Sequence, residues 1–139
     1  MTSTAVNLAT AAASFIGVRF RIHGRDPATG LDCVGLVAAS LAAIGLRPLV
    51  PTGYQLRQRS IRGWAFAAEQ AGLVAVVSPG RCGDIVVCRP APMQVHLAIV
   101  EQADRAIHAH AGLRRVVRES LANLGPIERG WRVPAECAR

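Results

Sequence analysis

A cysteine and a series of histidines are the residues whose types and spacing suit catalysis. Cys33 follows Asp32 where a glycine-containing loop gives way to an apolar run, so we expect it in the first turn of a helix. Backbone N–H groups and the helix dipole at such a position stabilise a thiolate and lower the pKa of the thiol. A lone cysteine is more commonly a small buried apolar residue. Position alone therefore leaves a nucleophile and a core residue as alternatives for Cys33.

His96 interrupts the apolar run Val95–Val100, where an imidazole needs either a satisfied core position or a function. A nucleophilic cysteine needs a base within hydrogen-bond reach, and that base needs an orienting group on its other nitrogen. His108, twelve residues further on, is the candidate orienting residue, and His110 is the reserve. An odd-numbered loop between the two predicted strands puts positions 96 and 108 on one sheet face, whereas a two-residue loop turns them apart.

The elements that must position these residues fall into helices first and strands afterwards. The predicted helices are Thr4–Ile16, Cys33–Ile44 and Ile61–Ala71, each followed by a glycine, and Gly24–Gly30 is predicted as a loop. The predicted strands are Val74–Val77, Asp84–Cys88, Val95–Glu101, Ala106–His110, Val116–Val117 and a last run through Trp131 to Pro134, with Pro90 expected to stop the second. This order predicts an α+β fold with the helices packed on one antiparallel sheet.

Length and composition limit the classes of protein. The 139 residues, 51% of them hydrophobic, suit one domain over residues 1–139 that buries about two-thirds of its unfolded surface. There is no internal repeat and no low-complexity tract, which excludes solenoids and wholesale disorder. No segment reaches the roughly 18 apolar residues of a membrane span, and the N-terminal segment lacks the basic start of a signal peptide. We therefore expect synthesis in the cytoplasm without a signal peptide.

The other cysteines, Cys82, Cys88 and Cys137, form no CxxC pair and do not have the pattern of a disulfide framework. A zinc site from Cys82, Cys88, His108 and His110 is the metal alternative. That set lacks the tight ligand pairs of structural zinc sites, so we predict no metal.

The segments around the cysteine and the histidines belong to a longer series of motifs. They are Phe15-Ile16-Gly17, Phe20-Arg21-Ile22-His23-Gly24, Asp32-Cys33-Val34-Gly35-Leu36-Val37, Gly83-Asp84-Ile85-Val86, His96-Leu97-Ala98-Ile99-Val100 and Ala106-Ile107-His108-Ala109. In order and spacing they resemble the NlpC family of cell-wall cysteine endopeptidases over about residues 8 to 118. The resemblance implies a minimal papain-like fold, with the cysteine at the start of a helix packed on the sheet.

The same resemblance implies a mechanism and a substrate. Cys33 is then the nucleophile, His96 the base that moves the proton, and His108 the residue that orients His96. A backbone N–H, expected to be that of Cys33, helps to hold the oxyanion. The implied substrate is the peptide stem of peptidoglycan, often cut between D-glutamate and the diamino acid, with no metal or organic cofactor. Asp84 is interpreted as a turn residue at the start of a strand rather than as a catalytic acid.

Three positions beside the nucleophile bear on substrate binding. The family commonly has tyrosine at the position of Phe20 and serine at the position of Val34, and these hydroxyls help bind a free amine of the stem peptide. Asp32 retains the family's carboxylate and can pair with an ammonium. The Ile22-His23 pair also departs from the family pattern, and we interpret His23 as a surface loop residue. The resemblance therefore supports activity but puts specificity for a free N-terminal alanine in doubt.

A narrower resemblance is to the small peptidases of phage tails and gene transfer agents. It is carried by the Asp-Cys-x-Gly-Leu form of the nucleophile motif, by Pro51–Tyr54 and by Trp131–Pro134. It implies a tail hub or baseplate partner, incorporation into the tail of a phage-like particle, and action at the cell wall or periplasm. Two other functions remain open: a structural tail-tip protein with a weakened site, and amide or acyl transfer on the same scaffold.

The charge does not identify a partner by itself. All sixteen basic residues are arginines, against nine acidic ones, for a formal net charge of +7. The two arginine groups are Arg57, Arg59 and Arg62, and Arg105, Arg114, Arg115 and Arg118. Nucleic-acid binding is disfavoured because only six aromatic residues are present and no stacking motif occurs. A solvated basic face and a surface for wall polymer or an acidic partner remain as interpretations, together with codon bias.

Overall fold

The computed structural model describes residues 3–48, 51, 54, 61–102 and 104–134. Within them the helices are α1 (Thr4–Ser14), α2 (Cys33–Ala43) and α3 (Arg62–Gln70). The strands are β1 (Arg25–Asp26), β2 (Gly30–Leu31), β3 (Val74–Val76), β4 (Ile85–Ala91), β5 (Gln94–Gln102), β6 (Arg105–His110), β7 (Arg115–Ser120) and β8 (Ile127–Arg132), with a 3₁₀ turn at Leu121–Leu124. None of the helices in these ranges has the length and apolar character needed to span a bilayer.

The main sheet has six strands in the order β3-β8-β4-β5-β6-β7, and every neighbouring pair is antiparallel. β1 and β2 form a separate two-stranded hairpin. β8, the last strand of the described chain, lies between β3 and β4, next to the edge of the sheet. The α+β class predicted from the order of the elements is confirmed.

The side chains of the central strands alternate between two apolar clusters. Leu97 and Ile99 of β5 are fully buried in the larger cluster, together with Leu36 and Val37 of α2. Ala98, between the two β5 residues of that set, belongs to a smaller cluster closed by the 3₁₀ turn. Full burial of a leucine or isoleucine contributes about 1.5–3 kcal/mol, so the contact between α2 and β5 anchors the helix that begins at the cysteine.

Two differences from the sequence prediction have local causes. β4 continues through Pro90 to Ala91, because a shift of register after Cys88 accommodates the residue that lacks an N–H. The segment predicted as a loop at Gly24–Gly30 contains the short strand β1 and the first residue of β2. Strands of two residues are too short to produce a periodic signal.

Candidate active site

The start of α2 depends on the residues that flank the cysteine. Asp32 is the N-cap of the helix, and its Oδ1 accepts a hydrogen bond of 2.7 Å from the N–H of Gly35. A Cβ at Gly35 would lie 1.9 Å from the carbonyl oxygen of Gly24, so only glycine lets α2 approach this loop so closely. Cys33 is the first residue of the helix, and its N–H therefore has no intrahelical acceptor. The Asp-Cys-x-Gly order thus presents a thiol and a backbone donor together at the helix start.

A β-bulge decides which face of the sheet the histidines share. β5 ends at Gln102 and β6 begins at Arg105. With regular pairing, so short a connection would place His96 and His108 on opposite faces of the sheet. Gln102 pairs with Arg105, but Val100 pairs with Ala106, so one extra residue of β5 is accommodated between these pairs. Directly paired residues of antiparallel strands face the same side. The even-numbered residues of both strands, the histidines among them, consequently share one face.

Three side chains on β5, β6 and β7 form a continuous line of hydrogen bonds. His96 Nε2 lies 2.9 Å from His108 Nδ1, and His108 Nε2 lies 2.6 Å from Oε1 of Glu119. A carboxylate only accepts, so His108 donates from Nε2 and its Nδ1 accepts from His96 Nε2. The same sequence of donors leaves the Nδ1 of a neutral His96 with an unprotonated lone pair. Glu119 thereby sets the tautomers of both rings.

His110, the reserve orienting residue, makes different contacts. Its ring centroid lies 5.4 Å from that of His108, and its Nδ1 accepts a hydrogen bond of 3.0 Å from the N–H of Leu113. The ring bonded to His96 is that of His108.

Burial governs the state of the thiol. Desolvation, reinforced by the adjacent Asp32 carboxylate, raises the pKa of Cys33 to about 12, and backbone hydrogen bonds from Leu97 and Val34 oppose this only in part. The expected lowering of the thiol pKa is therefore wrong. The helix start does favour a thiolate, but removing the thiol from water and setting it beside a carboxylate disfavours the charged form more. Cys33 is a neutral thiol at rest.

The imidazoles are also held neutral. Desolvation, followed by repulsion from His108 and His110, lowers the pKa of His96 to about 3. Desolvation lowers the pKa of His108 as well, although the hydrogen bond to Glu119 opposes that effect. For Glu119, burial acts to raise the pKa, but the hydrogen bonds from His108 and Asn123 and the charges of His108 and His110 together outweigh it, and the pKa is lowered. The resting arrangement is thus a neutral thiol, two neutral imidazoles and one carboxylate.

The cysteine and the histidines line one cleft of about 360 Å³. Its other described lining residues are mainly apolar or small and include Phe20, Ile22, Tyr54, Trp64, Val95, Ala109 and Leu124. Glu119 and Asn123 close the side of the cleft behind His108, and Asn123 Nδ2 lies 3.4 Å from Oε2 of Glu119. The arrangement can support attack by a thiol on a carbonyl, with one imidazole as the proton acceptor.

The three residues considered for substrate binding lie in different surroundings. Phe20 lines the cleft, whereas Val34 is fully buried in the core cluster under α2. Asp32 lines the cleft wall but is only 2% exposed, and its oxygens accept hydrogen bonds from four groups of the protein. Tyr54 supplies one of these through its hydroxyl. The Tyr54 hydroxyl thus comes from a different segment of the chain than position 20, where the family commonly has tyrosine and this chain has Phe20.

The remaining residues whose side chains could take part in chemistry lie outside the cleft or make structural contacts. Asp84 is buried at the start of β4, where it accepts hydrogen bonds from the N–H groups of Gly80 and Arg81 and forms a two-point ion pair with Arg132. Cys82 and Cys88 are free thiols outside the cleft lining. Among the residues that the structure describes, no group of three histidine, cysteine or acidic side chains is arranged to hold a metal. Cys137, Arg57, Arg59 and the Thr52–Gly53 part of the subgroup motif lie outside the described residues.

Glu119 and Tyr54 are site residues that the sequence pattern did not predict. Glu119 lies in a strand of which only Val116–Val117 had a recognisable pattern, and it pairs with Ala106, two residues from His108. The available signal was an acidic residue two positions after Val117. Whether its side chain reaches His108 depends on the register of β6 against β7. Tyr54 comes from a segment without periodicity, so the sequence carried no signal for its contact.

Solved structures with the same fold carry one family description. The chain matches the NlpC/p60 domain of the peptidoglycan hydrolase SagA with a TM-score of 0.69 and 22% identity, over 94% of this chain and 99% of that domain. It matches NlpC1 from Trichomonas vaginalis with a TM-score of 0.66 and 16% identity, over 96% of this chain and 45% of the other. It matches an NlpC/P60 family protein from Bacillus cereus ATCC 10987 with a TM-score of 0.69 and 19% identity, over 96% of this chain and 42% of the other.

No protein-family model matches the sequence, and no curated protein matches it significantly. The chain covers less than half of the Trichomonas and Bacillus chains but nearly all of the SagA domain. At these levels of identity the matches establish the fold, and the papain-like α+β fold expected from the resemblance is confirmed. The described chain has the fold of NlpC/p60 domains.

Proposed function

We propose that this protein is a cysteine peptidase that hydrolyses amide bonds in the peptide stems of peptidoglycan. The observation that carries the proposal is the line of hydrogen bonds from Glu119 through His108 to His96, which lines one cleft with Cys33. It is supported by the fold shared with the NlpC/p60 domain of a peptidoglycan hydrolase. Fold alone does not define activity, so the residues of the cleft are the stronger argument.

In the proposed first half-reaction, Cys33 Sγ attacks the carbonyl carbon of the scissile amide. His96 Nδ1, the ring nitrogen left free by the bond to His108, takes the thiol proton as the S–C bond forms. The N–H of Cys33 at the start of α2 donates to the oxyanion. His96 then gives the proton to the leaving amine, the C–N bond breaks, and a thioester remains on Cys33.

In the second half-reaction, a water molecule attacks the thioester while His96 Nδ1 takes its proton. The tetrahedral species collapses, the thiol leaves with a proton from His96, and the peptide carboxylate is released. His108 orients His96 through both steps, and Glu119 stabilises the imidazolium through His108. Because thiol and imidazole begin neutral, proton transfer accompanies attack and no thiolate is required beforehand.

The proposal is tested by digestion of purified muropeptides, with products identified by mass spectrometry. The wild-type protein is expected to release fragments with new amine and carboxylate ends, and Cys33→Ala is expected to release none. Cys82→Ala is the matched control, because Cys82 is a free thiol outside the cleft lining and its loss leaves the proposed mechanism intact. Identical muropeptide profiles with and without wild-type protein across several pH values would contradict the proposal.

We also propose that residues 1–139 act as one peptidase domain carried by a phage-tail or gene-transfer-agent particle, bound to a hub or baseplate protein. The nucleophile motif at Asp32–Leu36 and the Trp131–Pro134 segment support this narrower assignment. The test is isolation of such particles from a producing strain and peptide mapping of their tails. The chain is expected in the tail fraction, and its recovery only from the cytoplasm would contradict particle delivery.

A structural tail-tip protein with a weakened site is the second candidate. It is favoured by the loss of two family hydroxyls at Phe20 and Val34, the second of which is buried in the core. Particles carrying Cys33→Ala would distinguish the two functions. The peptidase predicts particles that assemble but deliver poorly, whereas the structural alternative predicts normal assembly and delivery.

A further inference from the structure

Asp32 is a saturated carboxylate in the wall of the proposed catalytic cleft. Its Oδ1 accepts from the N–H of Gly35 at 2.7 Å and from Arg25 Nη1 at 3.1 Å. Its Oδ2 accepts from the N–H of His23 at 2.7 Å and from the Tyr54 hydroxyl at 2.5 Å. Two carboxylate oxygens offer about four lone-pair positions, and the protein itself fills four.

Arg25 supplies the positive charge that a substrate ammonium would otherwise supply. The guanidinium forms an ion pair with Asp32, donates to the carbonyl oxygen of Gly24 at 3.1 Å and reaches that of Pro51 at 3.5 Å. Its central carbon also lies 5.4 Å from the centroid of the Tyr54 ring. These contacts hold Arg25 against the carboxylate, so an approaching ammonium meets a like charge and no open acceptor.

The other acidic residue in the described lining of the cleft is Glu119, which accepts from His108 Nε2. The remaining described lining is mainly apolar or small, with the imidazoles as its chief polar groups. Within this part of the chain, therefore, neither carboxylate of the cleft is open to a cation.

We propose that the cleft binds stem peptides whose N-terminal amine is acylated, as it is in intact wall, in preference to peptides with a free N-terminal ammonium. The inference rests on the proposed peptidase function and deepens it by naming the substrate class. Arg25 and Tyr54 are the specificity-determining residues, since together they occupy the carboxylate that would otherwise attract the ammonium.

The test uses two synthetic stem peptides that differ only in a free or an acetylated N-terminal amine. Wild-type kcat/KM is expected to be higher for the acetylated peptide. Affinity of Cys33→Ala for each peptide is measured by calorimetry, so the preference is read without turnover. Equal values for the two peptides, or a preference for the free amine, in either measurement overturn the inference but leave the peptidase function standing. If neither peptide is bound or cut, the inference and the proposed function both fail.

Arg25→Gln provides the internal comparison, because it opens one acceptor on Asp32 and removes the like charge. The ratio of kcat/KM for free over acetylated peptide is expected to rise by about tenfold, the scale of one charged hydrogen bond. Arg21→Gln is the matched control, since Arg21 is an exposed residue in the same segment and is expected to leave the ratio unchanged. Tyr54→Phe opens a second acceptor without a change of charge and is expected to move the ratio in the same direction. An unchanged ratio in both folded variants overturns the assignment of these two residues.

Discussion

Two carboxylates line the same cleft, and they differ in the groups that they bind. Asp32 is closed on every side, because four donors from the chain converge on its two oxygens. Glu119 accepts from His108 Nε2, and His108 Nδ1 accepts from His96 Nε2, so the Nδ1 of His96 keeps an unprotonated lone pair. A carboxylate with all its acceptor positions filled stabilises a fold, whereas one at the end of a line of imidazoles prepares a base. The comparison predicts that substitutions on the two sides act on different measurable quantities.

The largest effect on activity is expected at the open end of the histidine line. His96→Ala removes the proposed base and should lower kcat/KM by about a thousandfold or more, since general-base catalysis contributes about 10²–10⁴. The free energy of unfolding should change little in comparison. Hydrolysis of muropeptides and chemical denaturation measure the two quantities. Activity within tenfold of wild type would show that another group takes the proton.

The largest effect on stability is expected at Asp32. Asp32→Ala leaves a guanidinium, a phenol and two N–H groups without their acceptor, so the free energy of unfolding should fall by about 3–5 kcal/mol. Glu101→Ala is the control, because it breaks the more exposed ion pair with Arg118 and should cost less than about 1 kcal/mol. Urea denaturation of both variants measures the difference. Equal losses would contradict the structural role assigned to the saturated carboxylate.

An intermediate effect on activity is expected at the other end of the line. Glu119→Gln removes the charge that stabilises the imidazolium through His108 and should lower kcat/KM by about 10–100-fold, the usual range for a residue acting through another. Because the same charge favours the protonated form of His96 through His108, the pKa of His96 should fall in Glu119→Gln, and the acid limb of the pH–rate profile should move to lower pH. Asn123→Ala, which removes only a long contact of 3.4 Å, should change activity less than about threefold. A purely structural Glu119 would lower stability without moving the acid limb.

The smallest expected change is that of activity with pH near neutrality. His96 must be unprotonated to act as a base, and its lowered pKa of about 3 keeps it so down to strongly acidic solution. Cys33, with a pKa of about 12, stays a neutral thiol throughout this range. Between about pH 5 and 8, kcat/KM should therefore vary less than about threefold and should fall only as the pH drops towards the pKa of His96. An acid limb near pH 6 would show that His96 titrates as an ordinary imidazole.

The helix starts and the identities of the candidate residues were accessible from the sequence because their signals are local. The change from a glycine-containing loop to an apolar run at Asp32–Cys33 marks the start of α2, and that helix was predicted to within a residue of its end. The closeness of Gly35 to Gly24 explains the motif physically, because a side chain at that position has no room. The strands around His96 and His108 were also visible as short apolar runs. The catalytic roles of these residues remain predictions.

Other features depended on contacts between segments that the sequence pattern does not connect. The single extra residue in β5 brings positions 96 and 108 to one face, whereas a two-residue loop without that bulge would place them on opposite faces. Glu119 reaches His108 only through the register of β7 on β6. The pKa of Cys33 rises because burial outweighs the helix start, and burial is a property of the packed chain.

By itself, then, the sequence determined an α+β order of elements, a cysteine at a helix start and two histidines on neighbouring strands, since each follows from residue types and spacing within one segment. Only the tertiary structure decided that the histidines meet, that Glu119 sets their tautomers and that Arg25 and Tyr54 close the carboxylate of Asp32. The physical reason is that hydrogen bonding and desolvation act over a few ångströms in space, between groups that lie up to 22 residues apart along the chain.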